Sequence, residues 1–173
     1  MFDFFKKKSV SDADRQRLVR EEQSSHVAPG TQIHFVPELI KDLKGDHKEL
    51  LDLYGQIKKA FDARKYSQVT EKLKAFKMIL TDHLLIENIR LYIYLGHSFA
   101  NDEMNASLVK EFRSEMNQIS KVVMNFLTRY EAIGVDKELA ATFGKDLEEI
   151  GQALVERISR EERTLYPLYL PSY

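Results

Sequence analysis

Apolar residues recur at steps of three and four along four long stretches of the chain. From Pro37, Ile40, Leu43, His47, Leu50, Tyr54, Ile57 and Phe61 share one helical face. A second stripe runs Val69, Leu73, Phe76, Leu80, His83, Glu87, Arg90, Tyr94. After a polar break over 96–105 comes Val109, Phe112, Met116, Ile119, Val123, Phe126, Tyr130. The last is Leu139, Phe143, Leu147, Ile150, Leu154, Arg157, Glu161, Leu165. Pro37 suits a first helical turn, Gly134 reads as a helix stop and Asp136 as the next cap. Four amphipathic helices with short connections predict an all-α fold, an up-down-up-down antiparallel four-helix bundle over residues 37–169.

Residues 1–36 read as an N-terminal extension. The charge-dense segment 9–23 has little apolar stripe and makes at most a marginal helix. Residues 24–36, with Pro29, Gly30 and the extended patch Ile33–Val36, read as a lead-in strap. Phe2, Phe4 and Phe5 are expected as a flap docked on the body, with a surface anchor as the alternative.

Composition narrows the chemistry. A length of 173 residues fits one domain with a core of its own. With no cysteine there are no disulfides, thiolate metal sites, iron–sulfur clusters or cysteine nucleophiles. A net charge of −1 provides no basic field, so no direct nucleic-acid binding and no acidic-membrane binding is expected. No run approaches the length of a membrane span, and Met1–Lys8 lacks the order of an export signal. The expected location is the cytoplasm. No nucleophile constellation or Gly-rich phosphate loop is present, so an enzyme is the less favoured class.

Five residues do not belong on an apolar stripe: His47, His83, Glu87, Arg157 and Glu161. Burying a lone carboxylate costs several kcal/mol unless it is paired or bound to metal. Two carboxylates aimed at one core therefore call for a cation. His47 lies about ten residues, or ~15 Å, into the first helix, and antiparallel packing puts the other four at a similar depth. His83 and Glu87, four apart, share a helix face. Imidazole with carboxylate suits iron, manganese or zinc. Blander readings stand beside this one. The histidines can be satisfied core residues without a metal, and Arg157–Glu161 an exposed i,i+4 pair if Ile158 takes the core position. Met116 reads as core, and His34 and His97 as loop residues.

With those residues in view, the chain resembles the hemerythrin HHE cation-binding domain. The resemblance rests on His47 in KGDHKELLDLY, on His83-Leu-Leu-Ile-Glu87 and on Glu161-Glu162 in EERTLYP, and covers roughly Leu39 to Tyr169. It implies a non-haem di-iron site that binds oxygen or related ligands, or senses iron and redox state. By that resemblance, His47, His83, Glu87 and Glu161, or Glu162 in its place, stand at metal-ligand positions. Two further histidine positions are occupied by Met116, beside Glu115, and by Arg157. One metal's ligands are thus retained and the other's replaced. A guanidinium pairs with carboxylates as a cation does, so Arg157 is expected where the second ion would lie, which gives either a mononuclear site bordered by Arg157 or a metal-free site held by an ion-pair network. The expectation is iron, one ion or two, with manganese or zinc as alternatives and a small diatomic molecule as a ligand.

A second resemblance is to the regulator-of-sigma-D anti-sigma factors. It rests on Ile150, Gly151, Ala153, Leu154, Arg157, Glu161 and Leu165, with Phe76, Leu80, Asp82, Leu84 and Tyr92 and with Leu50, Leu51 and Tyr54. It implies a non-catalytic helical protein that regulates transcription by binding a protein partner. The retained His47, His83 and Glu87 favour the metal-binding reading.

Overall fold

The computed structural model describes residues 27–171. Helix α1 spans Leu39–Asp62. Helix α2 starts as Tyr66–Ile86, widens into a π-helical turn at Glu87–Tyr92 and ends as Ile93–Ser98. Helix α3 is Glu103–Arg129. Helix α4 is Ala140–Arg160, entered through a 3-10 turn and extended by a second π-helical turn at Glu161–Leu165. Each helix packs on its neighbours in sequence, and α4 closes the ring against α1. This is the all-α four-helix bundle that the periodicity predicts.

The polar layer divides the core in two. On one side lie aliphatic side chains with Phe76, Phe126, Tyr130 and Phe143. On the other lie Leu39, Leu43, Leu91, Val109 and Phe112 with a group of tyrosines, Tyr92, Tyr94, Tyr166 and Tyr169. Gly151 allows α4 to pack closely on α1. A Cβ there would fall 2.2 Å from the Tyr54 ring, so the ring of α1 rests on the bare backbone of α4.

Some boundaries differ from those read in the sequence. Arg90, placed on the second stripe, is exposed, whereas Leu91 and Tyr92 are buried. The π-helical turn holds an extra residue, which shifts the register by one beyond Glu87. The polar break after α2 is only Phe99–Asp102, and Asp102 caps α3 by accepting from the Asn105 backbone N–H. Gly134 is not the stop of α3, which ends at Arg129 with Tyr130 as its cap. Its backbone N–H instead donates to Thr70 Oγ1 at 3.0 Å, tying the loop to α2. Asp136 does cap, accepting from the Glu138 backbone N–H.

Residues 27–36 form a tight turn laid against the tyrosine end of the bundle. Val27 and His34 make an isolated antiparallel bridge, and Gly30 turns the chain at φ 72°. Phe35 stacks on Tyr169 at 4.8 Å between centroids, and the Val36 N–H donates to the Tyr169 hydroxyl at 2.9 Å. The expected flap of Phe2, Phe4 and Phe5 and the marginal helix at 9–23 lie outside the described residues. Among the described residues, no helix is long and apolar enough to cross a membrane.

Candidate metal centre

All five anomalous stripe residues are buried in one layer: His47, His83, Glu87, Arg157 and Glu161 are each 4% exposed or less. The alternative of a surface Arg157–Glu161 pair is overturned, since Arg157 takes the core position and Ile158 is half-buried. Of the two adjacent carboxylates, Glu161 enters the core and Glu162 stays half-buried at its rim. His34 and His97 are exposed and lie outside the layer, and His97, expected in a loop, sits instead in the last turn of α2.

The histidine side of the layer has a defined polarity. His47 Nδ1 lies 3.0 Å from Glu162 Oε1, and His83 Nδ1 lies 3.3 Å from Asp46 Oδ2. A carboxylate beside Nδ1 favours the proton there, which leaves the Nε2 lone pair of each ring facing inward. The two rings stand 4.7 Å apart between centroids. His47 Nε2 is 3.3 Å from Glu161 Oε2, and His83 Nε2 is 3.8 Å from Glu87 Oε2. One ligand atom each from His47, His83 and Glu161 lie within 4.8 Å of one another. Glu87 borders that trio. Its Oε1 accepts from the Tyr166 hydroxyl at 2.9 Å, while its Oε2 is buried without a hydrogen-bond partner.

On the opposite side Arg157 supplies a resident cation. Its Nε donates to Glu161 Oε1 at 2.6 Å and Nη1 to Glu115 Oε2 at 2.7 Å. Nη2 donates to the Tyr92 hydroxyl at 2.8 Å and to the Phe112 carbonyl at 3.0 Å. The guanidinium carbon sits 4.8 Å from the centre of the Phe112 ring, and Arg160 reinforces Glu115 from outside. Glu161 therefore bridges two environments, with Oε1 on a cation and Oε2 on a bare imidazole nitrogen.

Burial and charge act together on these groups. Burial, and then the neighbouring Glu161 charge, push the Glu87 carboxyl well above the usual carboxylate range. Burial, with His47 close by, pushes His83 below the ordinary histidine range and favours the neutral ligand form. Burial and the same two carboxylates hold the Tyr166 phenol far above its usual value. A positive ion between the inward lone pairs would reverse these penalties. The unpartnered Glu87 oxygen and the donor set of two imidazoles and two carboxylates both fit a divalent or trivalent cation.

A cavity of about 30 Å³ adjoins the layer, with His47, His83, Arg157 and Glu161 on one wall and Leu50, Leu80, Met116 and Val123 among its apolar lining. That space is enough for a water or a diatomic molecule. Met116 thus lines the site as well as filling the core.

The structure also brings in residues that the sequence reading left without a role. Asp46, Tyr92, Tyr166 and Arg160 reach the layer through contacts across helices. The two π-helical turns open at Glu87 and at Glu161. Such widened turns occur often at functional sites, and here each begins at a site carboxylate.

Comparison with protein-family profiles matches residues 38–169 to the hemerythrin HHE cation-binding domain. Searches of curated proteins and of solved structures give no match. With that match spanning most of the chain and a His/Glu cluster inside the bundle, the protein belongs to the hemerythrin HHE cation-binding domain family.

Proposed function

We propose that the protein holds a single iron ion, with His47, His83 and Glu161 as ligands and Glu87 closing the set through Oε2. The observation that carries this reading is the asymmetry of Glu161. One of its oxygens is saturated by Arg157 and the other faces the inward nitrogen of His47. In this reading the guanidinium stands at the position that the resemblance gives to a second ion, so one ion satisfies what remains.

Each residue has a distinct part in this reading. Asp46 and Glu162 hold the imidazole protons at Nδ1 and fix the ring orientations. Arg157 pairs with Glu161 at 2.6 Å and fixes its rotamer. The apolar lining keeps water sparse beside the ligands and leaves room for one small molecule. Iron, when bound, supplies a change between ferrous and ferric states and an open coordination position. The role we infer is a response to oxygen, nitric oxide, iron or redox state, passed to a protein partner in the cytoplasm.

The test is a titration of the metal-free protein with ferrous iron under anaerobic conditions, followed by exposure to oxygen or nitric oxide. The expected result is saturable binding that His83→Ala abolishes, and an absorption spectrum that changes on exposure. A spectrum indifferent to both gases contradicts the sensing role. Arg157→His should raise the capacity to two ions, and an unchanged stoichiometry contradicts the placement of the guanidinium at a second-ion position.

A further inference from the structure

Among the described residues, Tyr166 touches both the imidazole and the carboxylate side of the proposed ion site without yet having a part in it. Its hydroxyl lies 3.2 Å from His47 Nε2 and 2.9 Å from Glu87 Oε1. Its ring stacks on His47, with centroids 5.5 Å apart and planes within 7°. The residue is 3% exposed. Two donor atoms at right angles on one ion, with bonds of about 2.1 Å, stand about 3 Å apart. The His47–Tyr166 separation matches that spacing, as does the 3.3 Å from His47 Nε2 to Glu161 Oε2. The backbone explains how Tyr166 reaches the layer. It follows Glu161 by five residues, and the π-helical turn at Glu161–Leu165 brings both side chains to the same face.

We propose that Tyr166 is a phenolate ligand to the ion in its ferric state, which deepens the single-ion reading and rests on it. A phenolate is a hard anionic oxygen donor that suits iron, and tyrosinate ligation of iron is established protein chemistry. On ferric loading the phenol O–H bond breaks and its proton is released to solvent, so that Glu87 remains a carboxylate ligand through Oε2. An oxygen lone pair then forms the bond to iron, with no change in oxidation state. Tyr92 is excluded from this part because its hydroxyl accepts from Arg157. A site with a built-in phenolate favours the ferric over the ferrous state. Its chemistry is therefore that of a ferric-resting sensor or store rather than of a reversible oxygen carrier.

The experiment loads the full chain with ferric iron and records visible absorption and resonance Raman spectra. A phenolate-to-iron charge-transfer band is expected in the unaltered protein and in Tyr92→Phe, and is lost in Tyr166→Phe. Ring-deuterated tyrosine should shift the enhanced ring modes of the unaltered protein, a readout that needs no variant to fold. Tyr166→Phe should also lower ferric affinity by more than about tenfold, the low end for losing a group that supports a metal. One bound iron with no such band, or a band that survives in Tyr166→Phe, overturns the proposal while leaving the single-ion site standing. No iron bound at all overturns both.

Discussion

The two sides of the buried polar layer carry similar negative charge and handle it differently. On the α3 side, Glu115 and one oxygen of Glu161 converge on Arg157, whose donors are also taken by Tyr92 and the Phe112 carbonyl. On the α1–α2 side, the other Glu161 oxygen and both Glu87 oxygens meet imidazoles and a phenol rather than a guanidinium. One side is complete as folded, and the other is complete only with a proton or a cation. If the histidine side holds an ion, a guanidinium and a metal ion are electrostatic alternatives in one scaffold. What would separate them is that the guanidinium brings its own geometry, whereas an ion needs ligands oriented in advance.

Breaking the Arg157 side should cost the most. Arg157→Leu leaves the buried Glu161 without its cation and Glu115 with only Arg160 at the rim, and the metal-free protein should lose about 3–5 kcal/mol. Urea denaturation measures this, and a loss under 1 kcal/mol would mean that the network is solvated. On the histidine side, Asp46→Asn or Glu162→Gln removes a carboxylate that orients an imidazole. Isothermal titration should show metal affinity falling by about 10–100-fold with little change in the fold. Unchanged affinity would mean that the rings are held by packing alone.

A smaller effect has the opposite sign. Glu87 is raised in the folded metal-free protein, so the folded state binds its proton more tightly than the unfolded state. The stability contributed by that protonated form is complete below the ordinary value of 4.5 and is lost as pH rises towards the raised folded value. Glu87→Gln keeps the neutral form at every pH. It should therefore stabilise the metal-free protein by about 1–3 kcal/mol at neutral pH, with the gain shrinking towards pH 4.5. Thermal melts across pH test the sign. The smallest effect is expected from Arg160→Ala, since that half-exposed arginine only backs Glu115 from the rim and should contribute within about 1 kcal/mol.

Much of this centre was legible along the chain because helical period alone places a residue on a face. His47, His83, Glu87, Arg157 and Glu161 stand out as charge or imidazole where leucine is expected, and antiparallel packing sets their common depth. Glu162 and Glu115 were legible only as neighbours of stripe positions. Asp46 was not legible as the partner of His83, because that contact crosses from α1 to α2 at the rim. Tyr166 lay within the quoted EERTLYP run, yet its reach depends on a widened turn that a uniform 3.6-residue period cannot express. The same turn geometry explains why Arg90 was read as inward and is exposed. Where the backbone departs from the regular helix at Glu87 and Glu161, the pattern loses register, and those are the points where the site is built.

The central claim is that Arg157 stands in for one of two ions. Its most direct test is iron per chain, measured by elemental analysis on protein reconstituted anaerobically with ferrous iron and freed of excess metal. The account predicts one iron per chain. Two per chain would show that the guanidinium yields its place to a second ion. None, in a well-folded protein, would show that the histidine side is closed by protons alone.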